Sequence, residues 1–403
     1  MEQQIEHSPQ RIFALDALRV VAVYLTFVSH TYLFDRDVFS LGKWSFPFAA
    51  PAWACMWVLF TLSGYLAGWG FASGKYELNR KGIGAYYYGK LTKIWLPALV
   101  FIFVISALSY PDYLPGNTPV LWKFLFLTFR SDPAHSDIWH TWFVFDVMGL
   151  YLLTPMFCLV AKKMPRKAIP PLCGAVLALG LLFRLHMRDL GKDYVTEIYL
   201  PLYAQFDFFI SGLLLSFYKE SPEKSNKNST GGGYKKRISV CLLMLTYLFG
   251  FLAVWEAEAH GKPALYNTVY SYYGPTMFAI ATLLFISSFE GKEGVCPRWL
   301  KKPVEMLAKY GFEFYLLHTS ALIRLTPYIK GQNLFLRHVK ILVYVFLVSL
   351  VLSIGYQVLS LEMKRRIDRA LSDRLQINHA WEKCLFVYAA VAIIFVLVFM
   401  ELN

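Results

Sequence analysis

Charged residues are scarce in this sequence, at 17% of the chain, whereas soluble domains carry about 25%. The hydrophobic share is 57%, and apolar residues come in long runs such as 343–352 and 386–400. A helix that crosses a membrane needs about 20 mostly apolar residues. A large soluble core would instead show alternating strands or amphipathic helices. The composition therefore predicts an all-α, polytopic transmembrane helix bundle.

Cysteine is also sparse, and its six residues show no pairing pattern. There is no Cys-x-x-Cys pair, and only Cys55 is expected near the outer face of the membrane. A disulfide framework needs partnered cysteines in an oxidising compartment, and a thiolate metal site needs clustered ones. We therefore expect neither a structural disulfide nor a bound metal.

The net charge of +13 would suit a nucleic-acid partner, but the positions of the charges argue against one. Lys and Arg lie in short loops between apolar runs, as the positive-inside rule requires of a membrane protein. We expect membrane lipid around the chain and no nucleic acid.

The apolar runs divide into eleven predicted spans, all helical because a lipid-exposed backbone must satisfy its own hydrogen bonds. The spans are 12–34, 51–71, 94–110, 141–161, 169–187, 199–218, 238–255, 267–289, 305–326, 341–360 and 384–401. The segment 219–237, rich in Lys, Ser, Asn and Gly, is predicted to be a flexible loop.

The distribution of Lys and Arg predicts the orientation. With the N-terminus in the cytoplasm, the cytoplasmic segments hold 27 of these residues and the outer segments 11. An odd number of spans then places the C-terminus outside. The outer segment 324–340 fits least well, because it carries Arg324, Lys330, Arg337 and Lys340.

This orientation has a direct test. Ser229 should lie in the cytoplasm and Asn117 outside, so in cysteine-accessibility labelling of intact cells only Asn117→Cys should react with an impermeant reagent. Labelling of Ser229→Cys from outside would overturn the orientation.

Ionisable residues within membrane spans are costly and usually functional. The predicted spans contain Asp16, Arg19, His30, Asp146, Arg184, His186, Asp207, Glu313 and His318. Arg19 and His30 are eleven residues apart, close to three helical turns, so both point the same way with about 16 Å between them along the axis. Thr26 lies on the same stripe, and Asp16 is placed to pair with Arg19. Such a polar stripe is wasteful unless it faces a cavity.

Simpler interpretations compete for several of these residues. His140, between Trp139 and Trp142, is better explained by packing at an interface. For His318, packing and function are both open, whereas the spacing of Arg19 and His30 favours function. Asp207 and Glu313 are equally explained as counter-ions of Arg19 or Arg184.

Short motifs in a fixed order carry a resemblance to a known family. They are Arg19-x10-His30 in the first span, Phe60-Thr61-Leu62-Ser63-Gly64-Tyr65-Leu66, Tyr86-Tyr87-Tyr88-Gly89-Lys90-Leu91-Thr92-Lys93-Ile94-Trp95-Leu96-Pro97, Trp142-Phe143, Phe209-Ile210-Ser211-Gly212 and Tyr315-Leu316-Leu317-His318. Together these motifs span most of the chain. In their residues and their order, they resemble the motifs of the acyltransferase-3 family.

The resemblance implies a ten-helix core that takes an acyl group from cytoplasmic acyl-CoA and passes it to a sugar hydroxyl across the membrane. It implies that His30 is the general base and that Arg19 binds donor polar groups or holds the stripe in place. Further residues are expected to bind substrate or cofactor: Lys90, Lys93, Ser63, Tyr315, His318, Asp16 and Trp142. Lys90 and Lys93 stand where the family usually has two arginines, so the charge is kept but the bidentate fork is lost.

On this basis residues 1–360 form the membrane acyltransferase core. Residues 361–403 form a cytoplasmic amphipathic linker and an extra C-terminal span, after which we expect no second catalytic domain. The expected function is O-acyl transfer, acetyl or alternatively succinyl, to a surface or periplasmic glycan at a bacterial inner membrane. A transporter or flippase of glycan precursors is the alternative, although no internal symmetry of two halves is visible. The acceptor glycan and the oligomeric state stay open.

Overall fold

The computed structural model describes residues 12–109, 138–218, 232–268, 272–289 and 298–402. Thirteen α-helices and no strand occur in these ranges, which confirms the predicted all-α bundle. The helices are α1 Phe13–Phe34, α2 Ala52–Ala72, α3 Arg80–Lys90, α4 Leu96–Ser109, α5 Trp142–Lys163, α6 Ile169–Asp189, α7 Phe206–Tyr218, α8 Gly232–His260, α9 Pro263–Thr268, α10 Gly274–Ser288, α11 Arg298–Leu325, α12 Leu334–Arg369 and α13 Ala380–Leu402.

Within the described residues, every predicted span coincides with a helix, although several boundaries differ. By length and composition, seven helical segments of the described ranges could cross a membrane, and two shorter apolar ones accompany them. The third span belongs to a longer helix, because α3 continues through a π turn at Leu91–Trp95 into α4. The segment 72–93, which separates two predicted spans and is therefore expected to be a cytoplasmic loop, is partly helical.

The sixth predicted span, 199–218, is helical over a shorter stretch than expected. Its first part is a π turn at Tyr194–Tyr199 and a 3-10 turn at Leu202–Gln205, and α7 begins only at Phe206. Pro201 explains the break, because it has no N–H to donate and adopts an extended ψ of 144°. In contrast, α12 runs for 36 residues, passing residue 360 without interruption.

Close glycine contacts hold α2 and α7 together. A Cβ atom added to Gly64 would lie 1.9 Å from the Phe209 carbonyl oxygen, and one added to Gly212 would lie 2.0 Å from the Thr61 carbonyl oxygen. Small residues allow backbones to approach this closely, which drives helix association in lipid. The Ser-Gly pairs of the sequence motifs thus lie at a helix–helix interface.

A buried ion pair joins α6 to α7. Arg184 Nη2 lies 2.8 Å from Asp207 Oδ2 and 2.9 Å from Thr276 Oγ1, with both charged side chains almost fully buried. Asp207 is therefore the counter-ion of Arg184, one of the two partners that the sequence allowed. The described cysteines Cys55, Cys158, Cys173, Cys241 and Cys384 are free thiols.

Candidate active site

Two histidines from distant parts of the sequence meet where α1 crosses α11. His30 Nδ1 lies 2.7 Å from His318 Nε2, and the two rings are nearly parallel with their centroids 4.9 Å apart. Both residues are buried, at 4% and 1% exposure. Aromatic packing of Phe27 on Phe314, with centroids 5.4 Å apart, positions the two helices one turn away.

The hydrogen bonds assign the protons of this pair. His318 Nδ1 lies 2.8 Å from the carbonyl oxygen of Tyr315, an acceptor only, so this nitrogen carries the proton. His318 Nε2 is then an acceptor, and His30 Nδ1–H donates to it. In this tautomer the second ring nitrogen of His30, Nε2, carries no proton and keeps its lone pair. A neutral imidazole in this tautomer can take a proton from a hydroxyl.

A third histidine, His140, also contacts His318. Its ring centroid is 5.2 Å from that of His318, and its Nε2 donates to the Leu316 carbonyl oxygen at 3.0 Å. Within the described part of the chain its Nδ1 is buried without a partner. The hydroxyl of Tyr315 donates to the backbone carbonyl of His140, so two residues of α11 hold this segment in place.

Sequence reasoning missed a polar group next to this pair. His338 of α12 contacts Thr31 Oγ1 at 3.2 Å and Asp35 Oδ2 at 3.2 Å, and Arg337 pairs with Asp35 and Asp37. These contacts account for part of the unexpected positive charge in 324–340, since two carboxylates just after α1 neutralise Arg337. The excess of basic residues in the predicted outer segment 324–340 was the sequence feature that could have indicated these contacts.

Arg19 lies on the same face of α1 as His30 but not in contact with it. Its side chain is 35% exposed and forms an ion pair of 3.8 Å with the buried Asp16. Eleven residues of helix separate Arg19 from His30, which is about 16 Å. The structure thus brings His30, His318 and Tyr315 together and leaves Arg19 about three turns and Asp16 about four turns away.

The two predicted donor-binding lysines have different surroundings. The ammonium of Lys90 lies 3.6 Å from the ring centroid of Tyr151, a cation–π contact that holds it against α5. Lys93, in the π turn, is exposed and within electrostatic range of Lys75 and Lys364. Of these two lysines, Lys93 is therefore the one that presents its ammonium to solvent beside other basic side chains.

The last two predicted residues line the helix interfaces. Ser63 is half-buried on α2 beside the Gly64 contact. Trp142 is buried at the start of α5, with its ring 6.0 Å from Phe60 and 5.1 Å from Tyr199. In the described ranges no group of three or more His, Cys, Asp or Glu residues could hold a metal ion.

Comparison with known proteins identifies a family. The sequence profile of one protein family, described as an acyltransferase domain, matches residues 12–359. Searches of curated proteins and of solved structures give no match to the chain. The matched range contains all three histidines, Arg19 and both lysines.

Proposed function

Because the chain belongs to the acyltransferase-3 family and is a multi-pass membrane acyltransferase, we propose that it transfers an acetyl group from cytoplasmic acetyl-CoA to a hydroxyl of a surface or periplasmic glycan. The observation that carries this proposal is the buried His30–His318 pair, which leaves His30 Nε2 as a free proton acceptor. Acyl transfer to an alcohol needs such a base, since a neutral hydroxyl is a weak nucleophile.

In the proposed reaction the acceptor hydroxyl oxygen attacks the thioester carbonyl carbon, and His30 Nε2 takes the hydroxyl proton. The new C–O bond forms and the C–S bond breaks, and the leaving CoA thiolate takes the hydroxyl proton from the His30 imidazolium, which restores the neutral base. His318 accepts the Nδ1–H bond of His30 throughout, which holds the ring in its tautomer. Arg19 and the lysines at the opposite end of the bundle contact polar groups of the donor.

The depth of these residues suits a reaction across a membrane. In the proposed orientation, with the N-terminus in the cytoplasm of a bacterial inner membrane, α1 runs outward, so Arg19 lies in the inner half and His30 in the outer half. The nucleotide of acyl-CoA then stays at the cytoplasmic face while its long pantetheine arm brings the thioester toward His30.

Acetyl transfer itself is tested with purified protein in liposomes, labelled acetyl-CoA and the host's de-O-acylated glycan. We expect label in the glycan, detected by mass analysis, and none with His30→Ala. Transfer from succinyl-CoA but not from acetyl-CoA would identify succinyl-CoA as the donor. Movement of glycan without acylation would favour the transporter alternative.

We also expect Lys93 and Lys90 to contribute to donor affinity. Replacing both with Gln should raise the KM for acyl-CoA about tenfold or more, because hydrogen bonds between charged groups contribute about 1.5–3 kcal/mol. Lys93→Gln should have the larger effect, since the Lys90 ammonium already lies on the Tyr151 ring. The measurement is a saturation curve with acyl-CoA at fixed acceptor.

The matched control is Arg80→Gln with Lys81→Gln, which removes the same charge from the start of α3. An equal rise in KM for that pair would mean that general positive charge, rather than Lys90 and Lys93, attracts the donor.

A further inference from the structure

Aromatic rings from separate elements stack at the end of the bundle that carries His30. Trp53, at the start of α2, is nearly parallel to Tyr194 at 5.4 Å and to Tyr199 at 4.6 Å between centroids. Tyr266 of α9 meets Trp53 edge-on at 6.1 Å. Trp53, Tyr194 and Tyr266 are each half-buried rather than enclosed. These four residues are called the aromatic cluster below.

Two buried polar atoms next to the cluster lack partners in the described part of the chain. Gln205, 1% exposed, donates from its amide nitrogen to the Tyr199 carbonyl, which leaves Oε1 without a hydrogen bond. Arg184, 2% exposed, uses Nη2 for Asp207 and Thr276, and its Nε has no partner. Arg184 also lies within electrostatic range of the Tyr194 hydroxyl. Gln205 thus leaves an acceptor unsatisfied on a residue bonded to Tyr199, and Arg184 leaves a donor unsatisfied within electrostatic range of Tyr194, although each such atom is costly to bury.

The cluster is connected to His30 through further aromatic rings. Tyr199 contacts Trp142 at 5.1 Å. Trp142 contacts Phe143 at 6.4 Å, and Phe143 contacts Tyr315 at 5.7 Å. The Tyr315 ring lies 5.9 Å from that of His318, the partner of His30. A molecule held at the cluster therefore lies at the end of an aromatic path to the proposed base.

We propose that the aromatic cluster, with Gln205 and Arg184, binds one pyranose ring of the acceptor glycan, an inference that rests on the proposed function. A pyranose has an apolar face of C–H groups that stacks on aromatic rings, and hydroxyls that both donate and accept hydrogen bonds. One hydroxyl donates to Gln205 Oε1 and one accepts from Arg184 Nε. A lipid chain would cover the rings but leave both polar atoms unsatisfied, so a sugar fits better.

Occupation requires the Tyr194–Tyr199 turn to shift, because both polar atoms are closed to solvent in this structure. That turn is a π turn, a conformation that is rare and often found at functional sites. Its rings are held against Trp53 by stacking, and a sugar face can replace that contact.

The test measures binding of de-O-acylated oligosaccharides from the host's own surface glycan by calorimetry, without donor. Trp53→Leu and Gln205→Met should each raise the Kd about tenfold, which corresponds to about 1.4 kcal/mol. Trp53→Phe, which keeps an aromatic face, should bind more tightly than Trp53→Leu. Trp44→Leu, at an exposed tryptophan of the same end, is the matched control and should leave the Kd unchanged.

A second measurement separates this site from the reaction. In the transfer assay both variants should raise the KM for the glycan and leave the KM for acyl-CoA unchanged. Wild-type transfer with an unaltered glycan KM in Trp53→Leu would overturn the glycan site while the proposed function stands. Oligosaccharide binding that depends on Trp53, in a protein that transfers no acyl group, would support the site and overturn the function. If Gln205→Met does not fold, the comparison of Trp53→Leu with Trp53→Phe tests the glycan site by itself.

Discussion

His30→Ala should lower acyl transfer by about 10²–10⁴-fold, the usual contribution of a general base, while the protein still inserts and folds. The hydrogen bond to His318 fixes the tautomer of the His30 ring, which leaves Nε2 unprotonated. Loss of the His30 side chain removes the proton acceptor but no ion pair. The measurements are the initial rate of glycan acylation and the melting temperature of the purified variant.

Variants of His318 test the reason for this expectation. His318→Gln can still accept the Nδ1–H bond of His30 through its amide oxygen, so it should retain more activity than His318→Ala, in which the tautomer is no longer held. His318→Lys places a donor opposite His30 Nδ1 and favours the unproductive tautomer, so it should be the least active of the three. A folded His30→Ala protein with wild-type transfer would overturn the catalytic assignment and make His318 or His140 the candidate.

Arg19→Ala should lower kcat/KM for acyl-CoA by about 10–100-fold, the range expected for loss of a hydrogen bond to a charged group. Arg19 is a charged residue on a helix of a mainly apolar bundle. Its side chain is 35% exposed, so it is accessible for contact with the donor. Arg19→Lys keeps the charge but not the planar fork, so it should be partly active only if charge alone matters. The measurement is a saturation curve with acyl-CoA.

A structural effect of the same change must be separated from donor binding. Arg19→Ala also removes one cation, 3.8 Å from the buried carboxylate of Asp16, and loss of a partner of a buried charge is destabilising. Asp16→Asn removes that charge, so the double variant should regain stability without regaining donor affinity. If Arg19→Ala showed wild-type KM and turnover for acyl-CoA, the proposed role of Arg19 would be wrong.

Much of the helical framework was predictable from local patterns. Helix position follows from the length of each apolar run, and the common face of Arg19 and His30 follows from the helical period. The Asp16–Arg19 pair needed only a spacing of three residues. Boundaries failed where a local break was overlooked, as at Pro201, or where an apolar span continued into a polar helix, as at α3 and α12.

The sequence by itself therefore determined the membrane class, the helices and the polar stripe of α1, because these depend on neighbours along the chain. Only the tertiary structure decided that His30 meets His318, 288 residues away, and which nitrogen of each ring carries a proton. It also decided that Asp35 joins Arg337 and His338, and that Gln205 and Arg184 lie beside one aromatic cluster. The physical reason is that spans apolar on nearly every side carry no local signal for the face that each helix turns toward a neighbour. That rotation is set by close packing, such as the approach of Gly64 and Gly212 between α2 and α7.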